Sequence, residues 1–317
     1  MSPLWIKPLS AEPTIKAGIA IGRNQICAVV LDTKADGNEA YNVYRHDLPA
    51  PLFAGQPVQE NETALANALL EVSREFRAEY AAVHVALPDT MIRSTVFELD
   101  ELPKTSGLRE ALLRWRFGKE WQRPEDSLDC RGSDLGEVGG KRLFLGQAGD
   151  RHWIDCVRRA LAQAGITPWS LNAAASYRFN RFHNAITLNA GALISLDTDC
   201  WNLLIWDGDG RIRRALTRLR ENASAGNEMN LIVNEVERAI LSYANGLDGL
   251  GSNQIGKLYL TGSEKEIEAL AALLDGRMDE GSVLLNADDG VSGAATGMKD
   301  RMKDGMAALA LTAALSA

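Results

Sequence analysis

No catalytic signature interrupts the 317 residues: there is no GxSxG elbow, no Walker lysine loop, no GxGxxG and no HExxH. Histidine is scarce. His46, His84, His152 and His183 are scattered, without the spacing that sets two metal ligands on one helix face. His84 sits inside an apolar stretch and reads as a hydrogen-bonded core residue. Cys27, Cys130, Cys156 and Cys200 form no CxxC pair, which excludes the usual zinc and redox motifs and leaves buried thiols in a reducing compartment. A basic excess is missing too: 34 Lys and Arg against 42 Asp and Glu give a net charge of -8, the wrong sign for neutralising nucleic-acid phosphates. Nor is there a long apolar run. The opening MSPLWIKPLSAEP lacks the sustained apolar core of a secretory signal, and the most apolar stretch, Gly305 to Ala317, is short of the roughly 20 residues that span a bilayer. A cytoplasmic protein is expected, with that stretch a buried or docked terminal helix.

What the chain does contain is a 46% hydrophobic composition, enough for two ordinary domains, and one pattern that occurs twice. AGIAIGRNQICAVVLD (Ala17 to Asp32) and GALISLDTDCWNLLIWDGDG (Gly191 to Gly210) each read as strand, tight turn, strand. The turn residues are Gly22, Arg23 and Asn24 in the first copy and Asp197, Thr198 and Asp199 in the second. After each hairpin come a third strand, a helix and a further strand. In the first half the helix runs through ALANALLEVSREF behind Asn61 and Thr63, then the strand YAAVHVALPD. In the second half they are a helix capped by Asn227 and the strand KLYLTG. A duplicated α/β core is expected.

Between Met91 and about Gly149 the texture changes. A strand, a helix capped by Thr105 or Ser106 and a two-strand hairpin around Gly139 and Gly140 read as an inserted subdomain. The expected division is a first domain over 1–90, the insertion with its return helix over 91–165, the close of the first domain over 166–188, and a second domain over 189–317.

In such a core the two hairpin turns face each other and hold phosphates with backbone N–H groups, while a strand carboxylate holds magnesium through water. The strand offers Ala20 where that carboxylate would stand, and Asp197 and Asp199 put negative charge where a polyphosphate would lie. Each turn therefore reads either as a nucleotide contact, with Arg23 as a bidentate donor, or as an ordinary solvated hairpin. Gly262 and Ser263, at the end of KLYLTG, would leave space beside a flat base, and Asn234, Glu237 and Arg238 form a helical stripe that would border the same pocket or face solvent. Trp115 and Trp121, on the insertion's helix with Arg116, read as a partner surface or as core.

Three segments carry a family resemblance: VHVALPDTMIRSTVFELDELPKTSGLREALLRWRFGKEW, LAQAGITPWSLNAAA and LYLTGSEKEIEALAALL. Together they resemble the PilM-type actin-like proteins of type IV pilus assembly, which are similar in fold to the cell-division protein FtsA. The resemblance implies an actin-like α/β fold of two RNase H-like domains with a small insertion in the first. It implies a cytoplasmic adaptor that binds the cytoplasmic N-terminal tail of a single-span inner-membrane protein, in a first-domain groove near the insertion. It also implies ATP with magnesium as cofactor, but the family's D-I-G-S-S turn is here Ala20, Ile21, Gly22, Arg23 and Asn24, its D-I-G turn is Ser195, Leu196 and Asp197, and its adenosine glycine pair is Gly262 and Ser263. Three eroded motifs imply weakened or lost nucleotide binding. The other reading is an actin-like ATPase or small-molecule kinase using Asp197 or Asp199 as base.

Overall fold

The computed structural model describes residues 15–33, 39–52, 58–75, 81–182, 189–197, 199–220, 225–246, 255–275, 282–285 and 305–315. The first hairpin is β1 (Ile15–Ile21) and β2 (Gln25–Thr33), continued by β3 (Glu39–Asp47). Helix α1 (Val58–Glu75) leads to β4 (Ala81–Leu87). The insertion follows as β5 (Ile92–Leu99), α2 (Ser106–Trp121), β6 (Leu128–Val138) and β7 (Lys141–Asp150). Next come α3 (Arg151–Gln163), β8 (Pro168–Ala173) and α4 (Ala174–Phe182). The second half runs β9 (Gly191–Leu196), β10 (Cys200–Trp206), β11 (Ile212–Leu219), α5 (Ala225–Gly246), β12 (Lys257–Thr261), α6 (Glu264–Leu274), β13 (Ser282–Leu284) and α7 (Gly305–Leu315).

The duplication is visible in the sheets. One has the order β3-β2-β1-β4-β8 and the other β11-β10-β9-β12-β13, each an antiparallel meander extended by two parallel strands. Their central strands are mostly apolar, with Lys16 near the start of β1 and Ser195 in β9 as exceptions, because both faces are covered. Along β1, Ala17, Ile19 and Ile21 point into a core shared with Leu65 and Leu69 of α1 and Val157 and Leu161 of α3, whereas Ala20 points into the core under α7. In the second sheet, Ile194 and Leu203 meet Val233 and Val236 of α5 and Leu270 of α6, and Leu204 and Trp206 face the other way.

Two helices lie elsewhere than chain order places them. Helix α3, read as part of the insertion, packs on α1 and buries Val157, Ala160 and Leu161 in the first core, because its apolar stripe matches that of α1. Helix α7, read as part of the second domain, lies on β1, β2, β4 and α4 of the first half. It is apolar on all sides and buried from Leu309 to Ala314, so a two-sided slot is the place that suits it. Asn61 and Thr63, expected to precede α1, and Asn227, expected to cap α5, fall inside those helices. Thr105 does cap α2, accepting from the Leu108 N–H at 3.3 Å.

The three-stranded sheet β5-β7-β6 is pinned at its hairpin by Gly139 and Gly140, both at positive φ. One face carries Phe97, Leu99 and Phe144 against Leu113 and Phe117 of α2. The other presents Val96 and Leu145 to Leu204, Trp206 and Ile212 of the second half. The insertion thus leaves the first sheet and leans on the second. All four cysteines are buried, and His84 is a core residue whose Nδ1 lies 2.7 Å from Ser170 Oγ. His183 lies outside the described residues. No helix among the described residues is long and apolar enough to cross a membrane.

Candidate functional site

The two hairpin turns face each other across a cavity of about 280 Å³, lined by Gly22, Arg23 and Asn24 from one side and Asp197, Asp199 and Ser263 from the other. Each turn is held by its neighbour. Arg23 and Asn24 accept at their carbonyls from the Leu52 and Leu48 N–H groups, at 2.7 and 2.8 Å, and Asp199 accepts from the Arg220 N–H at 2.9 Å. The cavity is floored by Ile21, Leu196 and Ala174, and Leu309 of α7 enters it.

Not every residue singled out in the sequence belongs there. Thr198 lies outside the described residues. Asn234 and Arg238 are on the exposed face of α5 and line neither this cavity nor the larger groove described below, because periodicity identifies the helix but not what its polar face meets. Gly262 lines neither this cavity nor the larger groove; at φ +154° its absent Cβ would sit 2.7 Å from the Leu196 carbonyl oxygen, so the glycine permits the close approach of the end of β12 to β9. Ser263 lies just before α6, its Oγ donating to Glu266 Oε2 at 2.6 Å.

The chemistry of the cleft is dominated by two residues the sequence did not mark, Asp89 and Arg178. Asp89 follows β4 and is 1% exposed. Its carboxyl oxygens accept from the Ala175 N–H at the start of α4, both at 3.1 Å, and Oδ2 accepts from Asn202 Nδ2 on β10 at 2.8 Å. Asn202 Oδ1 in turn accepts from Thr217 Oγ1 at 2.7 Å. Arg178, on α4, is buried and grips Asp197 with both terminal nitrogens, Nη1 to Oδ2 at 2.7 Å and Nη2 to Oδ1. Burial opposes the guanidinium's charge, but Asp197 and then Asp89 hold its pKa above the ordinary value. Beside this, Arg220 donates to both carboxylate oxygens of Glu228 at 2.8 and 2.9 Å and to the Asp197 carbonyl at 2.7 Å, and pairs with Glu266. Its hydrogen bond draws the Glu228 carboxyl below its usual range.

A larger groove of about 910 Å³ opens beside the cavity, sharing Arg23, Pro88, Thr90 and Asp199 with it. Apolar side chains stand along it: Leu52 of the first half, Trp121 and Trp153 of α2 and α3, and Leu219 of the second half. Arg93 lines it as well, its guanidinium 5.1 Å from the Trp121 ring centre. Of the α2 residues singled out, Trp121 reaches this groove. Trp115 is half-exposed on another side of the helix under the Lys119 ammonium, and Arg116 lies over the Phe97 ring at 5.0 Å. Six residues of helix separate the two tryptophans by about 120° around the axis, so they do not share a surface.

No protein-family model matches the chain, and no curated protein matches it by sequence. Solved structures do match. A chain of a PilM-PilN type IV pilus biogenesis complex superposes with a TM-score of 0.69 over 95% of this chain and 97% of its own, at 14% identity. A Bacteroides thetaiotaomicron protein described as having an actin-like ATPase fold and unknown function superposes with a TM-score of 0.53 over 86% of this chain and 91% of its own, at 11% identity. The fold is actin-like.

In this actin-like cleft the buried acid has a measurable consequence. Burial first, and the neighbouring Asp197 second, push the Asp89 carboxyl from the ordinary 3.8 up to about 7. The folded chain then keeps a proton that the unfolded chain releases near pH 4. Its contribution is fully present below about pH 4 and is lost as pH rises to about 7. Asp89→Asn, which keeps the shape of the protonated acid, is expected to flatten the decline in stability between about pH 4 and 7, read as urea midpoints of the two proteins across that window.

Proposed function

We propose that the chain is an actin-like adaptor of a type IV pilus or related secretion machine. It binds the cytoplasmic N-terminal tail of a single-span inner-membrane assembly protein, is cytoplasmic and peripheral to the membrane through that partner, and has weakened or lost nucleotide binding. The observation that carries this reading is the contrast between the two openings. The cavity between the turns, about 280 Å³, sits at the small end of the roughly 300–1,000 Å³ of ordinary cofactor sites and is less than a third of the groove's volume. Asp197, the acid that would meet magnesium or serve as a base, is already held by Arg178. The groove beside it, about 910 Å³, is lined by the aromatic side chains Trp121 and Trp153 and by Arg93 and Arg123 together with the acids Glu120 and Asp150, a mixture that suits a peptide. The likeness in fold to a chain of a PilM-PilN complex, a structure of two proteins bound together, supports a protein partner as the occupant.

The test is titration of the purified chain with a synthetic tail peptide of the candidate partner, followed by tryptophan fluorescence, alongside melting with magnesium and ATP. The expected outcome is saturable binding that Trp121→Ala weakens at least about tenfold, as loss of a central aromatic anchor does, and no melting shift with nucleotide. Nucleotide at about 100 times its dissociation constant would add roughly 2.7 kcal/mol, a shift of several degrees. Such a shift, with ATP turnover lost on Asp197→Asn, would overturn the adaptor reading in favour of an ATPase or kinase.

A further inference from the structure

The cleft already holds a cation. Ligand atoms of Asp89, Asp197 and Cys200 lie within 4.8 Å of one another, a spacing that three donors around one metal ion would have. The guanidinium of Arg178, its side chain 4% exposed, grips one of these donors, Asp197, and has Asp89 and Cys200 as electrostatic neighbours. The donors come from opposite halves of the molecule. Asp89 and Arg178 belong to the first half, following β4 and on α4, and Asp197, Cys200 and Asn202 belong to the β9–β10 hairpin of the second. Both the Arg178 pair with Asp197 and the Asn202 bond to Asp89 therefore cross between the halves. Both carboxyl groups of this network have hydrogen-bond donors inside it, Asp197 from Arg178 and Asp89 from Asn202 and the Ala175 N–H. A buried network satisfied in this way fixes one arrangement of the parts it joins.

We propose that Arg178 is a built-in closing cation: its guanidinium holds the two halves of the cleft together, so that the closed arrangement, and the shape of the groove that shares Arg23, Pro88, Thr90 and Asp199 with the cleft, is reached without a bound ligand. The proposal stands whether or not the groove takes a membrane-protein tail, because it concerns the closure and not the occupant. A metal or nucleotide bridge comes and goes with concentration, whereas a side chain is always present. Closure here is constitutive.

The test compares wild type, Arg178→Met, Asp197→Asn and the double variant by small-angle scattering and thermal melting, with and without manganese chloride. Wild type is expected to keep one radius of gyration and one melting temperature with or without the metal. Arg178→Met leaves the buried Asp89 and the partly buried Asp197 side by side without their cation, and is expected to expand and to melt about 5–10 °C lower. Removing the partner charge as well should return at least half of that loss, and manganese should raise the melting temperature of the single variant but not of the double. Where Arg178→Met does not fold, Arg178→Lys carries the same comparison, since an ammonium keeps the charge but not the two-pronged grip. The proposal is overturned if the arginine variants are as compact and stable as wild type, if the double variant is no better than the single, or if wild type itself closes only on adding manganese or magnesium with ATP.

Discussion

Trp206→Ala is expected to lower stability by about 3–5 kcal/mol, the range for emptying a fully buried large side chain. Trp206 ends β10, is 1% exposed, and stands where three parts of the molecule meet. Its ring centre is 5.9 Å from that of Phe179 on α4 and 5.8 Å from that of Tyr259 on β12. In the same cluster are Val96 and Leu145 of the inserted sheet. The indole Nε1 donates to the Asn189 carbonyl at 3.0 Å, so truncation also strands an acceptor. Gly191 exists to admit the ring, since a Cβ there would stand 2.5 Å from Trp206 Cζ2. A site built this tightly around one ring has little room to collapse when the ring is removed. The cavity term therefore adds to the transfer term.

The measurement is a urea titration, with Trp115→Ala as control. Trp115 is 50% exposed and is expected to change stability by no more than about 0.5 kcal/mol, the usual size of a surface effect. The two substitutions remove the same atoms, so the difference between them reports the surroundings of the two rings: the burial of Trp206 and its hydrogen bond to Asn189 against the exposed Trp115. Amide exchange adds a second readout. Because Val96 and Leu145 rest on the Trp206 cluster, the inserted sheet should lose protection ahead of the first sheet. An equal loss from both tryptophans, or none at Trp206, would be incompatible with the packing described.

How much of this was legible in the chain depended on whether a signal was local. The hairpins were legible, because strands covered on both faces read as unbroken apolar runs, and the turn residues between them are confined to three positions each. The Gly139–Gly140 hairpin was legible because two adjacent positive φ values leave few alternatives to glycine. Asp89 was not. A Pro-Asp-Thr sequence after a strand is ordinary turn chemistry, and nothing local says that Asn202, more than a hundred residues on, will donate to it. Arg178 left a faint trace: it stands between Tyr177 and Phe179 on a short helix, in a place where an arginine is tolerated only with a partner. The stripe of Asn234 and Arg238 shows the converse failure, since a polar face at helical spacing looks the same whether it borders a pocket or solvent.

Gly18→Val is expected to cost about 3 kcal/mol or more, at the upper end of what forcing extra atoms into a packed core costs. Gly18 lies mid-strand on β1, paired with Val29 of β2 and His84 of β4, and α7 rests directly on it. Even the first added carbon would stand 1.8 Å from the Ala310 carbonyl oxygen and 2.5 Å from the Ala314 N–H nitrogen. Both contacts are to backbone, so no side chain can swing aside and the helix must move as a unit. The alanines of α7 and the glycine under them are a single close-packing device, and neither works without the other. Lifting α7 uncovers Cys27, Val29 and Leu31 together, and withdraws Leu309 from the cavity between the two turns. The expected pattern is thus local before it is global: amides of Leu309 to Ala314 exchange faster, and the cleft cavity becomes accessible to an apolar dye, at urea concentrations where the second sheet is still protected. If Gly18→Val instead unfolded both sheets in one step with no early exposure of α7, the helix would be integral to the first core and not a lid over it.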